Sequence, residues 1–72
     1  MNWNELDFTS QDILLTASRH KKMAVLRRDI GDHATATNLV SKWLLTVYRE
    51  DEDKTVYNIT NEGQKLVANR PV

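Results

Sequence analysis

Cysteine is absent from the chain, which excludes disulfide bonds and thiolate metal ligation. Proline appears once, at Pro71, and glycine twice, at Gly31 and Gly63. No Pro/Gly-rich linker and no glycine-rich phosphate loop can therefore be assembled. No apolar run approaches the roughly 18 residues that a membrane span requires. The opening Met1-Asn2-Trp3-Asn4-Glu5 lacks the basic and then apolar regions of a secretory signal, so the expected location is the cytoplasm. The two histidines, His20 and His33, have no ligand-spaced partner and form no zinc pattern. No set of nucleophile, base and oxyanion donors can be composed, so an enzyme is not expected, and neither is a cofactor.

What remains is one small domain. The 72 residues are 40% hydrophobic and 28% charged, which is ordinary for a folded protein. A chain of this size hides only about 60% of its unfolded surface, so its core must be compact or supported by a partner. Ten Lys/Arg balance ten Asp/Glu, which argues against an indiscriminate nucleic-acid coat. The charges are unevenly placed. Arg19, Lys21, Lys22, Arg27 and Arg28 fall within ten residues with no acid between them, and Glu50-Asp51-Glu52-Asp53 form an acidic run.

Periodicity predicts a string of short elements. Thr9 is positioned to cap a first helix ending near Arg19, with Phe8 and Ile13 in the hydrophobic-staple positions. Met23, Leu26 and Ile30 share a helical face and predict a second helix over residues 22–30, stopped at Gly31. Ala36, Leu39, Val40, Trp43 and Leu44 form the apolar stripe of a third helix, capped at Asp32 or Thr35. Leu45, if helical, would point outward. Val47 to Glu50 and Thr55 to Ile59 predict a hairpin around Asp51-Glu52-Asp53-Lys54. Thr60 caps a last short helix bearing Leu66 and Val67. Trp3 and Leu6 suggest that the first residues dock on the core or on a second subunit.

The segment Tyr57-Asn58-Ile59-Thr60-Asn61-Glu62-Gly63-Gln64-Lys65-Leu66 resembles the wing exit of prokaryotic winged-helix regulators, which often read Tyr-x-Leu-Thr-x-x-Gly-x-x-Leu. Ile59 replaces the Leu, and the other named positions match. Mechanically, Tyr57 and Ile59 would anchor the last strand, Thr60 would cap the helix, Leu66 would close it on the core, and Gly63 would permit close approach.

The resemblance spans about residues 9–69. It implies an α+β, mainly α, winged helix-turn-helix: a three-helix core, a β-hairpin wing and a short C-terminal helix over residues 9–72, preceded by an arm over residues 1–8. The implied function is sequence-specific binding of double-stranded DNA in transcriptional, phage or plasmid control. The third helix would enter the major groove. Thr35, Thr37, Asn38, Ser41 and Lys42 are its base-reading candidates. Arg19, Lys21, Lys22, Arg27, Arg28, Arg49 and Lys54 are the phosphate candidates, with His20 beside them. The acidic wing tip would be repelled by phosphates, which leaves it solvated or meeting a protein partner. A homodimer, and a winged helix that has exchanged DNA for protein partners, are the competing expectations.

Overall fold

The structure, a computed structural model, describes residues 2–71. A short 3-10 helix at Trp3–Glu5 leads into α1 (Phe8–His20), β1 (Lys22–Leu26), α2 (Ile30–Ser41), β2 (Leu45–Glu50), β3 (Lys54–Ile59) and α3 (Asn61–Ala68). It is a small α+β fold, roughly half helical, in which three α-helices pack on one antiparallel sheet of order β1-β3-β2. No helix among the described residues is long and apolar enough to cross a membrane.

The core forms where the apolar faces of the helices meet the inward side of the sheet. Ile13, Leu14 and Ala17 of α1, Ala36 and Leu39 of α2, and Val67 of α3 close over Val25, Leu45 and Tyr57. Leu14, Leu39 and Leu45 are completely buried. At such sites truncation to Ala removes about 2–5 kcal/mol, which makes them principal determinants of the fold. Trp3 and Leu6 belong to the same cluster, so the leading residues dock on the chain's own core. The Gln11 side-chain amide holds them there by donating to the Trp3 carbonyl at 3.2 Å.

Two expectations at α1 are corrected. Asp7, not Thr9, is the cap: its carboxylate accepts from the Ser10 N–H at 2.9 Å. Phe8 then becomes the first helical residue and stands in solvent at 82% exposure, so no staple to buried Ile13 forms. The helix ends at His20, near Arg19 as expected, and Lys21 behind it adopts a left-handed φ of 65°.

The expected second helix is a strand. Residues 22–26 pair antiparallel with β3, from Lys22 opposite Asn58 to Leu26 opposite Lys54. Met23 and Val25 turn inward while Lys22, Ala24 and Leu26 turn outward, the period-two pattern of a half-buried strand. A tight turn at residues 27–28 follows, and Gly31 lies in the first turn of α2 instead of stopping a helix before it. Two α-helices, not three, therefore precede the hairpin among the described residues.

The end of α2 is also revised. The helix starts at Ile30 behind an Asp29 cap, whose carboxylate accepts from Asp32 N at 3.3 Å, and finishes at Ser41. Stopping there reverses the assignments beyond it. Trp43, expected in the core, is 72% exposed, while Leu45, expected outside, is completely buried as the first residue of β2. Leu44 is buried as expected. A register shift between Val47 and Arg49 leaves Tyr48 as the extra residue of a bulge, which blunts this edge strand.

The segment from Tyr57 to Leu66 behaves as its spacing implies. Tyr57 is 2% exposed, Ile59 and Leu66 pack against the core, and the Thr60 hydroxyl accepts from the Gly63 N–H at 3.0 Å. A Cβ at Gly63 would stand 2.5 Å from the Leu44 carbonyl oxygen and 2.7 Å from Ile59 Cγ1. The α3 backbone can approach this closely only without a side chain.

Candidate nucleic-acid interface

One edge of α2 is free of the fold. Ile30, Ala34, Thr37, Asn38 and Ser41 recur at helical spacing and are all exposed, opposite the buried Ala36 and Leu39. Of the five base-reading candidates, Thr37, Asn38, Ser41 and Lys42 lie on or directly beyond this edge, whereas Thr35 is half-buried at its flank. Sequence from His33 to Arg49 contains no carboxylate.

The hydroxyls on this helix are already committed as donors. Thr35 donates to the Gly31 carbonyl at 3.0 Å, Thr37 to the His33 carbonyl at 2.9 Å, and Ser41 to the Asn38 carbonyl at 2.6 Å. Each retains acceptor capacity toward a ligand. The free donors are the Asn38 amide and the Lys42 ammonium. Those are the two groups suited to bidentate pairing with adenine and to contact with guanine, respectively.

The N-terminal half of the helix is different. Asp29 and Asp32 stand there, and Asp12 of α1 lies close enough to act on Asp32. Asp29 above all, helped by Asp12, pushes the Asp32 carboxyl above its ordinary value. Hydrogen bonds from Ser10 hold the Asp7 carboxyl below its ordinary value, with Lys42 contributing in the same direction. His33 is half-buried, its Nε2 lying 3.5 Å from the hydroxyl of buried Thr55.

The strand that replaces the second helix splits the basic run between two ends of the sheet. Lys22 and Leu26 are the two ends of β1, a separation of roughly 13 Å at the rise of an extended chain. At one end, Ile59 N donates to the Lys21 carbonyl at 3.4 Å, Thr60 N to the Leu44 carbonyl at 3.1 Å, and the Thr60 hydroxyl to the Trp43 carbonyl at 2.6 Å. These bonds bring segments 21–22, 43–44 and 59–60 together, with Arg19, His20 and Lys42 adjoining in sequence. An open depression there is lined by Lys21, Lys22, Thr46, Asn58, Asn61 and Gln64, among others. The Lys22 ammonium stands 4.5 Å from the Tyr48 ring centroid, a cation–π pair.

At the other end the cations meet the acidic tip. Arg27 donates through Nε to the Asp51 carbonyl at 2.8 Å and lies 3.7 Å from a Glu50 carboxylate oxygen, while its backbone N–H donates to Asp53. Arg49 pairs with Asp51 at 3.2 Å. Of the seven phosphate candidates, Arg27 and Arg49 are thus engaged by the hairpin's own carboxylates. Arg28 is exposed beside the same tip, and Lys54 is half-buried opposite Leu26. Arg19, Lys21 and Lys22 are exposed at the opposite end.

Trp43 belongs to this candidate surface, although its spacing assigned it to the core. Its φ of 63° is left-handed, as is that of Lys21; no other non-glycine among the described residues has a positive φ. For a bulky side chain this conformation costs on the order of 1–2 kcal/mol. The turn needs it because the chain reverses from α2 into β2 within three residues. Glycine or asparagine is the usual occupant of such a position, so the tryptophan itself gave no warning. No group of three or more potential metal-ligating His, Cys, Asp or Glu side chains occurs among the described residues. Comparison with family models, curated proteins and solved structures finds no match for this chain.

Proposed function

We propose that the protein binds double-stranded DNA and acts as a sequence-selective regulator, with α2 lying in the major groove by its C-terminal half. The order α1-β1-α2-β2-β3-α3, with its sheet order β1-β3-β2, supports reading the fold as an abbreviated winged helix in which a turn stands in place of the second helix. The observation that carries the proposal is the exposed edge from Thr37 to Lys42, which bears no carboxylate of its own, with the backbone of Lys21 linked to the turn beyond it through residues 59–60.

In this arrangement Asn38 and Lys42 read base edges, and Arg19, Lys21 and Lys22 hold phosphates and set register. The acidic hairpin tip lies at the far end of the sheet, where the phosphate backbone would repel it least. Selection from a randomised duplex pool at low salt tests the proposal. Enrichment of one site, lost in Asn38→Ala and Lys42→Ala, supports it, and a pool that stays random refutes base readout.

A protein-binding role remains the second reading, and one observation favours it. The Glu50 and Asp51 carboxylates pair with Arg27 and Arg49, and Glu52 and Asp53 sit beside exposed Leu26, with exposed Ile30 just beyond the turn. Pull-down from the native cell with and without nuclease separates the two. A partner retained after nuclease favours this reading, and sedimentation of the pure chain reveals whether that partner is a second copy.

A further inference from the structure

We infer that Trp43 is a stacking contact for an unpaired nucleobase next to the bound duplex. The inference rests on the DNA-binding reading and deepens it. Three observations lead to it. The indole is 72% exposed, whereas the other tryptophan, Trp3, is buried. Its backbone is fixed on both sides: the N–H donates to the Val40 carbonyl at 3.0 Å, and the carbonyl accepts from the Thr60 hydroxyl at 2.6 Å. It also occupies a left-handed conformation that a smaller residue would adopt with less strain. A strained and rigidly held backbone that presents a large aromatic ring to solvent is an arrangement that stability alone would not select.

The surroundings choose the partner. Lys42 precedes the ring, and hydrogen bonds through residues 59–60 bring the backbone at Lys21 to the same corner, while the Lys22 ammonium lies over the Tyr48 ring. Asp7 and Glu62 are the nearest carboxylates that the structure ties to Lys42. An aromatic anchor for a protein partner is typically ringed by apolar contacts that exclude water. An exposed ring that follows Lys42 directly in the chain instead matches the platform that single-stranded nucleic acid uses, a cationic track with a ring on which a base can stack. Bases inside a duplex have both faces covered by their neighbours. Only an overhang, gap or unstacked position offers a free face, and Trp43, just past the helix that would enter the groove, is placed to meet one.

The test uses the whole chain and two labelled duplexes, one blunt and one with a single-stranded overhang of about four nucleotides. Binding is followed by anisotropy, and contact by quenching of Trp43 emission. Wild type is expected to bind the overhang duplex about tenfold tighter than the blunt one, with quenching by the overhang form. Trp43→Gly should lose that preference while melting no lower than wild type, and Trp43→Phe should keep part of it. Equal affinity of wild type for both duplexes, or a preference that persists in Trp43→Gly, overturns the stacking role while leaving duplex binding intact. Binding of neither duplex overturns the DNA reading and this inference with it. Trp3 also emits, so the quenching is assigned with Trp43→Phe: quenching that persists in this variant belongs to Trp3 and overturns the contact.

Discussion

The Thr60 hydroxyl donates to the Trp43 carbonyl at 2.6 Å and accepts from the Gly63 N–H at 3.0 Å. One oxygen thereby latches the strained turn after α2 and caps α3, coupling the candidate interface to the last helix. Removing it should cost more than a cap alone. Thr60→Val keeps the branched shape but deletes both bonds and is expected to destabilise the protein by roughly 1–3 kcal/mol. Thr60→Ser, which keeps the hydroxyl, should recover most of that. Urea denaturation midpoints of the two variants check this, and equal midpoints would show that the latch is energetically idle.

Gly63 offers a contest between two effects of opposite sign. Helix propensity alone makes Gly→Ala favourable by about 1 kcal/mol. The new Cβ, however, would stand 2.5 Å from the Leu44 backbone oxygen, which cannot swing aside as a side chain would. Overpacking of this kind costs about 1–3 kcal/mol and should win, so Gly63→Ala is expected to lower the denaturation midpoint. A rise would mean that α3 moves away from the Leu44 turn at little cost.

The same turn shows how far the sequence could be read. The segment from Tyr57 to Leu66 was legible because each residue type has one mechanical use there: a capping hydroxyl, a glycine at a close approach, an apolar residue one helical turn on. The 22–30 segment was not. Met23, Leu26 and Ile30 fit a helical face, while Met23 and Val25 equally fit a strand. Pairing with β3, 28 or more residues away along the chain, decides between them. Five residues are too few for periodicity alone to choose. At the end of α2 an unbroken apolar stripe continued through Trp43 and Leu44, and no glycine marked the stop. Among the site residues, the exposed edge of α2 followed from the stripe opposite it. The division of the cations between two ends of the sheet depended on β1 and could not be read without it.

Asp32 and Asp7 should respond to acid with opposite signs. The Asp7 carboxyl is held below its ordinary value, so its contribution is present above the unfolded pKa and is lost as pH falls through the folded one. The Asp32 carboxyl is raised, chiefly by Asp29, so its charge disfavours folding near neutrality and protonation relieves this as pH falls. A first-turn acid would ordinarily gain from the helix dipole, and here the neighbouring carboxylate outweighs that gain. Asp32→Asn is therefore expected to be more stable than wild type at neutral pH, with the advantage shrinking toward about pH 3.5. Denaturation midpoints at the two pH values test this, and a constant difference would place the effect outside electrostatics.

The two ends of the sheet should differ in how they respond to salt. Lys21 and Lys22 are exposed at the end where α2 finishes, and each phosphate they neutralise adds about 0.9 to the slope of log affinity against log salt. Lys21→Ala combined with Lys22→Ala should flatten that slope by roughly two and weaken binding to all sequences alike. Arg27 is engaged with Glu50, Asp51 and Asp53. Arg27→Ala should leave the slope unchanged and alter stability by no more than about 1 kcal/mol, since the pair is solvent-exposed. Salt titrations of duplex binding with both variants decide the orientation. If Arg27→Ala flattens the slope as much as the lysine pair does, the hairpin end faces the DNA, and the base-reading role of Asn38 and Lys42 must be given up.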